Sequence, residues 1–166
     1  VQRSQDNEHE DMQVANFTAE QEAASVVLNN SAEQSGFELE AVALLNDTTQ
    51  LSLNYGSLDS EYTESVVAPD GFAPELFPYA PESMIYASLE KDFGDYRMRL
   101  DHSRVVDHNA FPYNSRDPRS ILTHVEERNV TDFRLMTSPM ENLDLTFWIK
   151  NLNDEEYVIN MIPFGP

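Results

Sequence analysis

The stretch from 107 to 128, DHNAFPYNSRDPRSILTHVEER, contains the side chains best suited to recognising a ligand. The four candidates are two aromatic and two cationic residues: Phe111, Tyr113, Arg116 and Arg119. Aromatic rings stack on planar groups and guanidinium groups make charge-assisted hydrogen bonds, so this set suits an anionic, aromatic ligand. The alternative is an ordinary polar loop tip with scattered aromatic residues, and the composition, which is common in loops, favours that interpretation.

No pattern of residues in the sequence indicates catalysis or a resident cofactor. His102 and His108 each follow an aspartate, but their spacing matches no zinc-ligand pattern. The acidic segment 153–156, NDEE, lacks the central glycine of a calcium-binding loop. There is no Ser/His/Asp, Cys/His or phosphate-binding glycine motif. We therefore predict a protein that is not an enzyme and that has neither a cofactor nor a metal site.

The charge and composition of the chain exclude several classes of protein. Its 166 residues include 30 Asp and Glu but 10 Lys and Arg, and the resulting net charge of −20 repels nucleic acid. Nine Phe, seven Tyr and a hydrophobic fraction of 40% are too many for an acidic disordered chain. The absence of cysteine excludes disulfides and thiolate metal sites, and no apolar run is long enough for a transmembrane helix. We expect one folded domain without a nucleic-acid partner.

Alternation of apolar and polar residues predicts an all-β fold, an antiparallel up-and-down meander. Successive side chains of a strand point to opposite faces of a sheet, so strict alternation identifies a strand with one apolar face. About seven segments show it: 11–17, 36–45, 50–57, 83–93, 96–103, 131–138 and 143–150. Only 18–25 has a composition that favours a helix, and it is too short to form one alone.

One face of the predicted sheet is charged. Its members are Glu38, Glu40, Arg97, Arg99, Asp132, Arg134, Trp148 and Lys150. An unpaired buried ion costs several kcal/mol, so these groups must face water or one another. We expect the cations to pair with Glu38, Glu40 and Asp132. The opposite face is rich in Phe, Leu and Ile and must face hydrocarbon or a second layer of protein.

The connections alternate in length. Short turns at 46–49, 94–95 and 138–142 alternate with long segments at 57–82, at 102–128 and from 151 onward. In an up-and-down sheet, successive connections lie at opposite rims, so all the short turns fall on one rim. Outer-membrane barrels sort their turns and loops in this way.

The last segment, LDLTFWIKNLNDEEYVINMIPFGP from 143 to 166, resembles the penultimate strand and following loop of TonB-dependent outer-membrane receptors. Their W-x-KNL-x-D-x-x-Y signature corresponds to residues 148–157. Segments 29–64, 78–103 and 128–139 resemble three further motifs of these receptors, in the order in which the family has them. The resemblance covers the chain from about residue 11 onward.

This resemblance implies that residues 1–166 form part of a 22-strand transmembrane barrel, strands 15 to 21, incomplete in this chain. The N-terminal plug domain and the final strand would then lie outside it, and seven strands are too few to close a barrel. The charged face would face the lumen and the plug, as a salt-bridged wall or as part of the substrate path. Trp148 would pack there against the plug or a neighbour.

The implied function is import of an iron complex, such as a ferric siderophore, across the outer membrane of a Gram-negative cell. The TonB–ExbB–ExbD system would supply the energy through the plug, the apolar face would contact outer-membrane lipid, and Phe111, Tyr113, Arg116 and Arg119 would contact the siderophore. The alternative is a soluble, acidic, β-rich binding module with no role in transport.

Overall fold

A computed structural model describes residues 2–14, 25–67, 73–113, 117–159 and 161. Strands dominate it, as the alternation predicts. The elements are β1 (Gln2–Val14), β2 (Ser25–Asn46), β3 (Thr49–Glu64), β4 (Ser83–Asp92), β5 (Tyr96–Val105), β6 (His108–Asn109), α1 (Pro118–Leu122), β7 (His124–Val125), β8 (Arg128–Met140) and β9 (Leu143–Ile149).

Seven strands form one antiparallel sheet in the order β1-β2-β3-β4-β5-β8-β9. Each strand pairs with the next one along the chain, except that β6, α1 and β7 form an excursion between β5 and β8. The antiparallel meander is therefore confirmed. The outer strands β1 and β9 do not pair with each other in the described part of the chain, so the sheet is not closed into a barrel there.

Strands β1 to β3 are longer than the sequence pattern predicts. β2 begins at Ser25 rather than near 36, and β3 continues to Glu64, into the segment predicted as a loop. β1 covers Gln2–Val14 rather than 11–17, and of that prediction 15–17 lie outside the described residues, as does most of 18–25. The added length is rich in polar residues, so alternation of hydrophobicity could not reveal it; backbone pairing along residues 25–37 forms it.

The short turns lie where the sequence predicts them, and local hydrogen bonds explain two of them. The Asn46 side chain accepts a hydrogen bond from the Thr48 amide at 3.0 Å. Gly94 has a φ of +85°, a conformation that favours glycine, and its amide donates to the Asp92 carboxylate at 2.7 Å. Asn and Asp commonly bond to the backbone two residues on in this way.

One face of the sheet is apolar across six strands, and we call it the apolar face. Residues that lie directly opposite each other form a continuous row along its middle: Ala43, Leu51, Leu89, Leu100, Phe133 and Ile149. Leu89, Leu100 and Ile149 are nevertheless about 40% exposed. The buried hydrophobic residues of the described chain are Ala32, Ala110 and Val125, none of them in this row. No second layer of described residues covers the apolar face.

Close approach of β2 and β3 requires glycine at position 36. A Cβ atom added to Gly36 would overlap the backbone carbonyl oxygen of Ser57, whereas one added to Gly56 would meet nothing within 4 Å. We expect Gly36→Ala to lower the free energy of unfolding by about 1–3 kcal/mol, the usual cost of overpacking. The midpoint of urea unfolding, followed by the fluorescence of Trp148, measures this change.

Gly56→Ala is the matched control for this substitution, since both glycines lie in the β2–β3 pair. We expect Gly56→Ala to change the free energy of unfolding by less than about 0.5 kcal/mol, as most substitutions without a clash do. Equal midpoints for the two variants would contradict the proposed close approach.

Candidate functional site

A hydrogen-bonded group of three side chains lies at the centre of the charged face, which we call the polar face. The Tyr86 hydroxyl donates to the Asp101 carboxylate at 2.5 Å and accepts from the Arg99 guanidinium at 2.7 Å. Arg99 Nε also donates to Asp101 at 2.8 Å. Each of the three groups therefore bonds to the other two. Charge-assisted bonds of this kind are the stronger ones in proteins.

The ion pairs on the polar face differ from those predicted. Arg97 lies 3.6 Å from Glu90 and 3.5 Å from Asp92, on the neighbouring strand, and Arg99 pairs with Asp101. The predicted pairing of these arginines with Glu38 and Glu40 on β2 is wrong. β2 and β5 are three strands apart in the sheet, about 14 Å at the usual strand spacing, which is too far for an ion pair.

Asp132, the third predicted partner of the cations, also forms contacts other than the predicted ion pairs. It lies directly opposite Asp101, as Arg134 lies opposite Arg99. Like charges that face each other across a strand pair are destabilising, and the diagonal neighbours of opposite sign offset this. The Asp132 carboxylate accepts a hydrogen bond from the Asn151 amide at 2.8 Å.

The remaining predicted members also share the polar face. Glu38 faces Gly56, Glu40 faces Asn54, and Trp148 faces Arg134, all in register on adjacent strands. Lys150 follows the last residue of β9 and is exposed. The prediction missed Tyr86, although the alternation that places Ser88 and Glu90 on the charged side of β4 places Tyr86 there too.

Tyr86→Phe should destabilise the fold because it removes a hydroxyl that both donates and accepts. We expect a loss of about 1–2 kcal/mol in the free energy of unfolding, the range for one or two partly buried hydrogen bonds. Tyr55→Phe is the control: Tyr55 packs its ring 5.4 Å from that of Phe37, and its hydroxyl bonds to no other described residue. Urea unfolding of both variants measures the difference, and equal losses would show that the Tyr86 group contributes nothing specific.

Side chains of the turn after β9 form hydrogen bonds with backbone groups on the free edge of β8. The Asn153 side chain accepts from the Thr131 amide at 2.9 Å and donates to the Asn129 carbonyl at 2.7 Å, as a strand residue would. The Leu152 amide donates to the Thr131 carbonyl at 2.6 Å. The Glu155 carboxylate accepts from the Asn129 amide at 3.2 Å. Residues 152–155 thus continue the pairing of β8 beyond the end of β9, where the edge would otherwise be open.

The internal geometry of this turn explains its Asn and Asp residues. Asn151 and Asp154 have φ values of 53° and 54°, a left-handed conformation that Asn and Asp adopt more readily than other non-glycine residues. The Asn151 side chain donates to the Glu155 carbonyl and accepts from the Glu155 amide, both at 3.0 Å. The signature that the sequence shows at 148–157 therefore has a local structural role.

Asn153→Ala should accelerate amide hydrogen exchange at Thr131, because its acceptor is removed. Asn153→Asp keeps the oxygen that accepts from Thr131 but loses the group that donates to Asn129, so exchange at Thr131 should stay slow. Exchange rates measured by NMR distinguish the two variants. If both substitutions accelerate exchange at Thr131 equally, the Asn153 oxygen does not protect it.

The long connections fold together above the sheet. The Tyr79 amide donates to the Asn109 carbonyl at 2.7 Å, and the Glu75 amide donates to the Pro112 carbonyl at 3.2 Å. The Tyr79 hydroxyl reaches the Met161 carbonyl at 3.5 Å. Three separate segments of the chain, 73–79, 108–125 and the one that includes 161, are therefore in contact. Two of the three buried hydrophobic residues, Ala110 and Val125, lie in this loop cluster rather than in the sheet.

A cavity of about 850 Å³ opens among these loops, and we call it the rim cleft. The described residues that line it are Leu76, Asn109, Ser120, Ile121, His124, Glu126, Glu127, Glu156, Tyr157, Val158 and Met161. Its volume lies within the range of small-molecule sites.

Of the four predicted ligand-binding residues, the two aromatic ones are described, and neither Phe111 nor Tyr113 lines the rim cleft. Phe111 and Tyr113 stack on each other, with ring centroids 5.8 Å apart and planes 17° from parallel. Arg116 lies outside the described residues. Arg119 belongs to α1, and its side chain also lies outside what is described. Whether these four residues form one ligand site stays a prediction.

Among the described residues, no group of three or more His, Asp or Glu side chains has a geometry that could hold a metal ion. In the same part of the chain, no helix is both long enough and apolar enough to cross a membrane. No protein-family model matches the chain, and no curated protein matches it.

Proposed function

We propose that the chain is part of an outer-membrane transporter of the TonB-dependent kind, which imports an iron complex such as a ferric siderophore into a Gram-negative cell. The observation that carries the proposal is the apolar face, whose central row crosses six strands and is covered by no described residue. Each large apolar side chain left in water forgoes about 1.5–3 kcal/mol relative to full burial. The acyl chains of a bilayer would remove this cost.

The dimensions of the central strands support this proposal. β4 and β5 have ten residues each. At about 3.3 Å per residue and a tilt of about 40°, such a strand has a height of about 25 Å, which matches the apolar band of outer-membrane barrels. The polar face, with its Tyr86, Arg99 and Asp101 group, would then line a wet interior.

The arrangement of the connections supports the same orientation. The turns at 47–48, 93–95 and 141–142 are short, whereas the opposite rim has the loop cluster and the rim cleft. In the proposed transporter the short turns face the periplasm and the loops face the outside. Transport energy would come from the TonB–ExbB–ExbD system through a plug domain. The proposal assigns this chain no catalytic step.

A lysine placed on each face of β3 tests the proposal. Leu51 lies in the central row of the apolar face, and the adjacent Gln50 lies on the polar face opposite Glu90. A lysine facing lipid near the middle of a barrel strand costs about 2–4 kcal/mol. We therefore expect Leu51→Lys in the complete transporter to reduce the amount assembled in outer membranes, and Gln50→Lys to have little effect. Fractionation and heat-shift on gels measure assembly.

The soluble binding module predicts the opposite result. If the apolar face were open to water, Leu51→Lys would raise solubility, and the protein would stay in the aqueous fraction without detergent. Recovery of both variants and of the unsubstituted protein in the aqueous fraction would overturn the transporter.

A further inference from the structure

One lysine lies on the apolar face close to the short turns. These turns all lie at one edge of the sheet, which we call the short-turn rim: 47–48, 93–95 and 141–142. Lys91 lies directly opposite Thr49 on β3 and Met98 on β5, in the row next to the central row on the side of this rim. Among the strand residues that the structure describes between the central row and the short-turn rim, Lys91 is the only charged one on the apolar face.

Lys91 has no ion pair with any described carboxylate, including those of the adjacent turns. Its neighbours in the sequence, Glu90 and Asp92, lie on the polar face, where they are 3.6 Å and 3.5 Å from Arg97. The Lys91 ammonium group lies 5.3 Å from the centroid of the Phe93 ring, and a cation–π contact of this kind is weak at an exposed site. The ammonium group is therefore accessible to an anion that approaches along the apolar face.

The Thr49 hydroxyl beside Lys91 also lacks a partner. Thr49 is 9% exposed, and its hydroxyl oxygen is buried without a hydrogen bond to any described residue. Nearly all buried polar side chains of native proteins have a hydrogen-bond partner, and a buried group without one is costly. Residues directly opposite each other on antiparallel strands have Cβ atoms about 5 Å apart, so one ligand can reach both Thr49 and Lys91.

Two exposed aromatic side chains lie next to Lys91 at the short-turn rim. Phe93 follows β4 and Tyr96 begins β5, and the Phe93 amide donates to the Tyr96 carbonyl at 2.7 Å. Aromatic side chains, and lysines with their flexible stems, are typical of the boundary between the hydrocarbon of a membrane and its headgroups. Lys91 is one residue from the end of β4, a rise of about 3 Å, so its ammonium group can reach that boundary.

We propose that Lys91, Thr49, Phe93 and Tyr96 form a binding site for the headgroup of an anionic phospholipid. The Lys91 ammonium group pairs with the lipid phosphate. The Thr49 hydroxyl, which must rotate toward the rim to be reached, donates to an oxygen of the same headgroup, and the acyl chains lie along the apolar face. This inference rests on the proposed function and deepens it, because it names the class of lipid at the rim proposed to face the periplasm.

Photochemical labelling from position 98 tests this inference in the complete transporter. Met98 faces Lys91 and is 38% exposed, so a benzophenone amino acid in its place captures the lipid that lies beside Lys91. The transporter is reconstituted in equal amounts of phosphatidylglycerol and phosphatidylcholine with identical acyl chains, one of the two tritiated in each preparation. We expect capture of phosphatidylglycerol to exceed that of phosphatidylcholine about fivefold, which corresponds to the roughly 1 kcal/mol that one lysine contributes near an anionic membrane surface.

Substitutions of two lysines identify the group that selects the lipid. Lys91→Gln should bring the capture ratio to about one, whereas Lys91→Arg, which keeps the charge, should preserve the preference. Lys150→Gln is the matched control, since it removes the same charge at the opposite rim, after the end of β9, and should leave the ratio unchanged. Replacing chloride with inorganic phosphate at equal ionic strength should also leave it unchanged, because the acyl chains hold the lipid on the apolar face.

Thr49→Val removes the hydroxyl, and its effect should depend on the lipid. In detergent without phospholipid, the midpoint of the heat-shift should not fall, because the hydroxyl has no partner there. In phosphatidylglycerol bilayers the midpoint should fall below that of the unsubstituted protein, because a hydrogen bond to the headgroup is lost. A fall of the same size in both settings would assign the hydroxyl a structural role and contradict the site.

The labelling experiment separates failure of this inference from failure of the transporter. Equal capture of the two lipids, a preference that survives Lys91→Gln, or displacement of the lipid by inorganic phosphate would overturn the inference alone. Capture of neither lipid would overturn both, because the apolar face would then not contact a bilayer. The assembly of Leu51→Lys is measured independently of either result.

Discussion

Backbone pairing between strands holds the described part of this chain together, because none of its residues packs as a second layer against the sheet. Neighbouring strands are in register over as many as 13 residue pairs, whereas the buried hydrophobic residues of the described chain are two alanines and one valine. A water-soluble domain of this size normally derives its stability from a buried core. Here both faces of the sheet depend on what surrounds them, and the two faces need different surroundings.

Alternation of hydrophobicity in the sequence identifies a strand where its two faces differ in polarity. It does not identify a strand where both faces are polar. Alternation located the central strands within a few residues, since one side of each is apolar. The outer half of β2 has polar residues on both sides, so that signal is absent there. At about 3.3 Å per residue, the 11 residues 25–35 extend about 36 Å beyond the segment with the apolar pattern. Pairing with β1 along the whole segment, and with β3 from Ser31 onward, forms this part of the strand.

The contacts of the candidate site are harder to predict from the sequence than the strands are. They depend on how far apart the strands lie in the sheet. The alternation of side chains along a strand tells which face of the sheet a residue occupies. It places Arg99 and Arg134 correctly on one face. It does not tell which strand lies beside which residue, so Glu38 and Glu40 were paired with cations three strands away. The rim cleft is harder still, because its lining comes from loop segments far apart in the sequence, and no periodic pattern connects Leu76 to Glu156.

The turn after β9 links the sheet to the loops. Residues 151–155 satisfy the edge of β8 through Asn153 and Leu152, and the next residues, Glu156 and Tyr157, line the rim cleft. The Arg104–Glu127–Asn129 contacts join the same edge from the other side, and Glu155 also bonds to Asn129. The positions of Glu127, Glu156 and Tyr157 in the lining therefore depend on β8. A change in the register of β8 would move these three residues together, so the pairing of the sheet sets this side of the cleft, whereas loop–loop hydrogen bonds hold the side that includes Asn109.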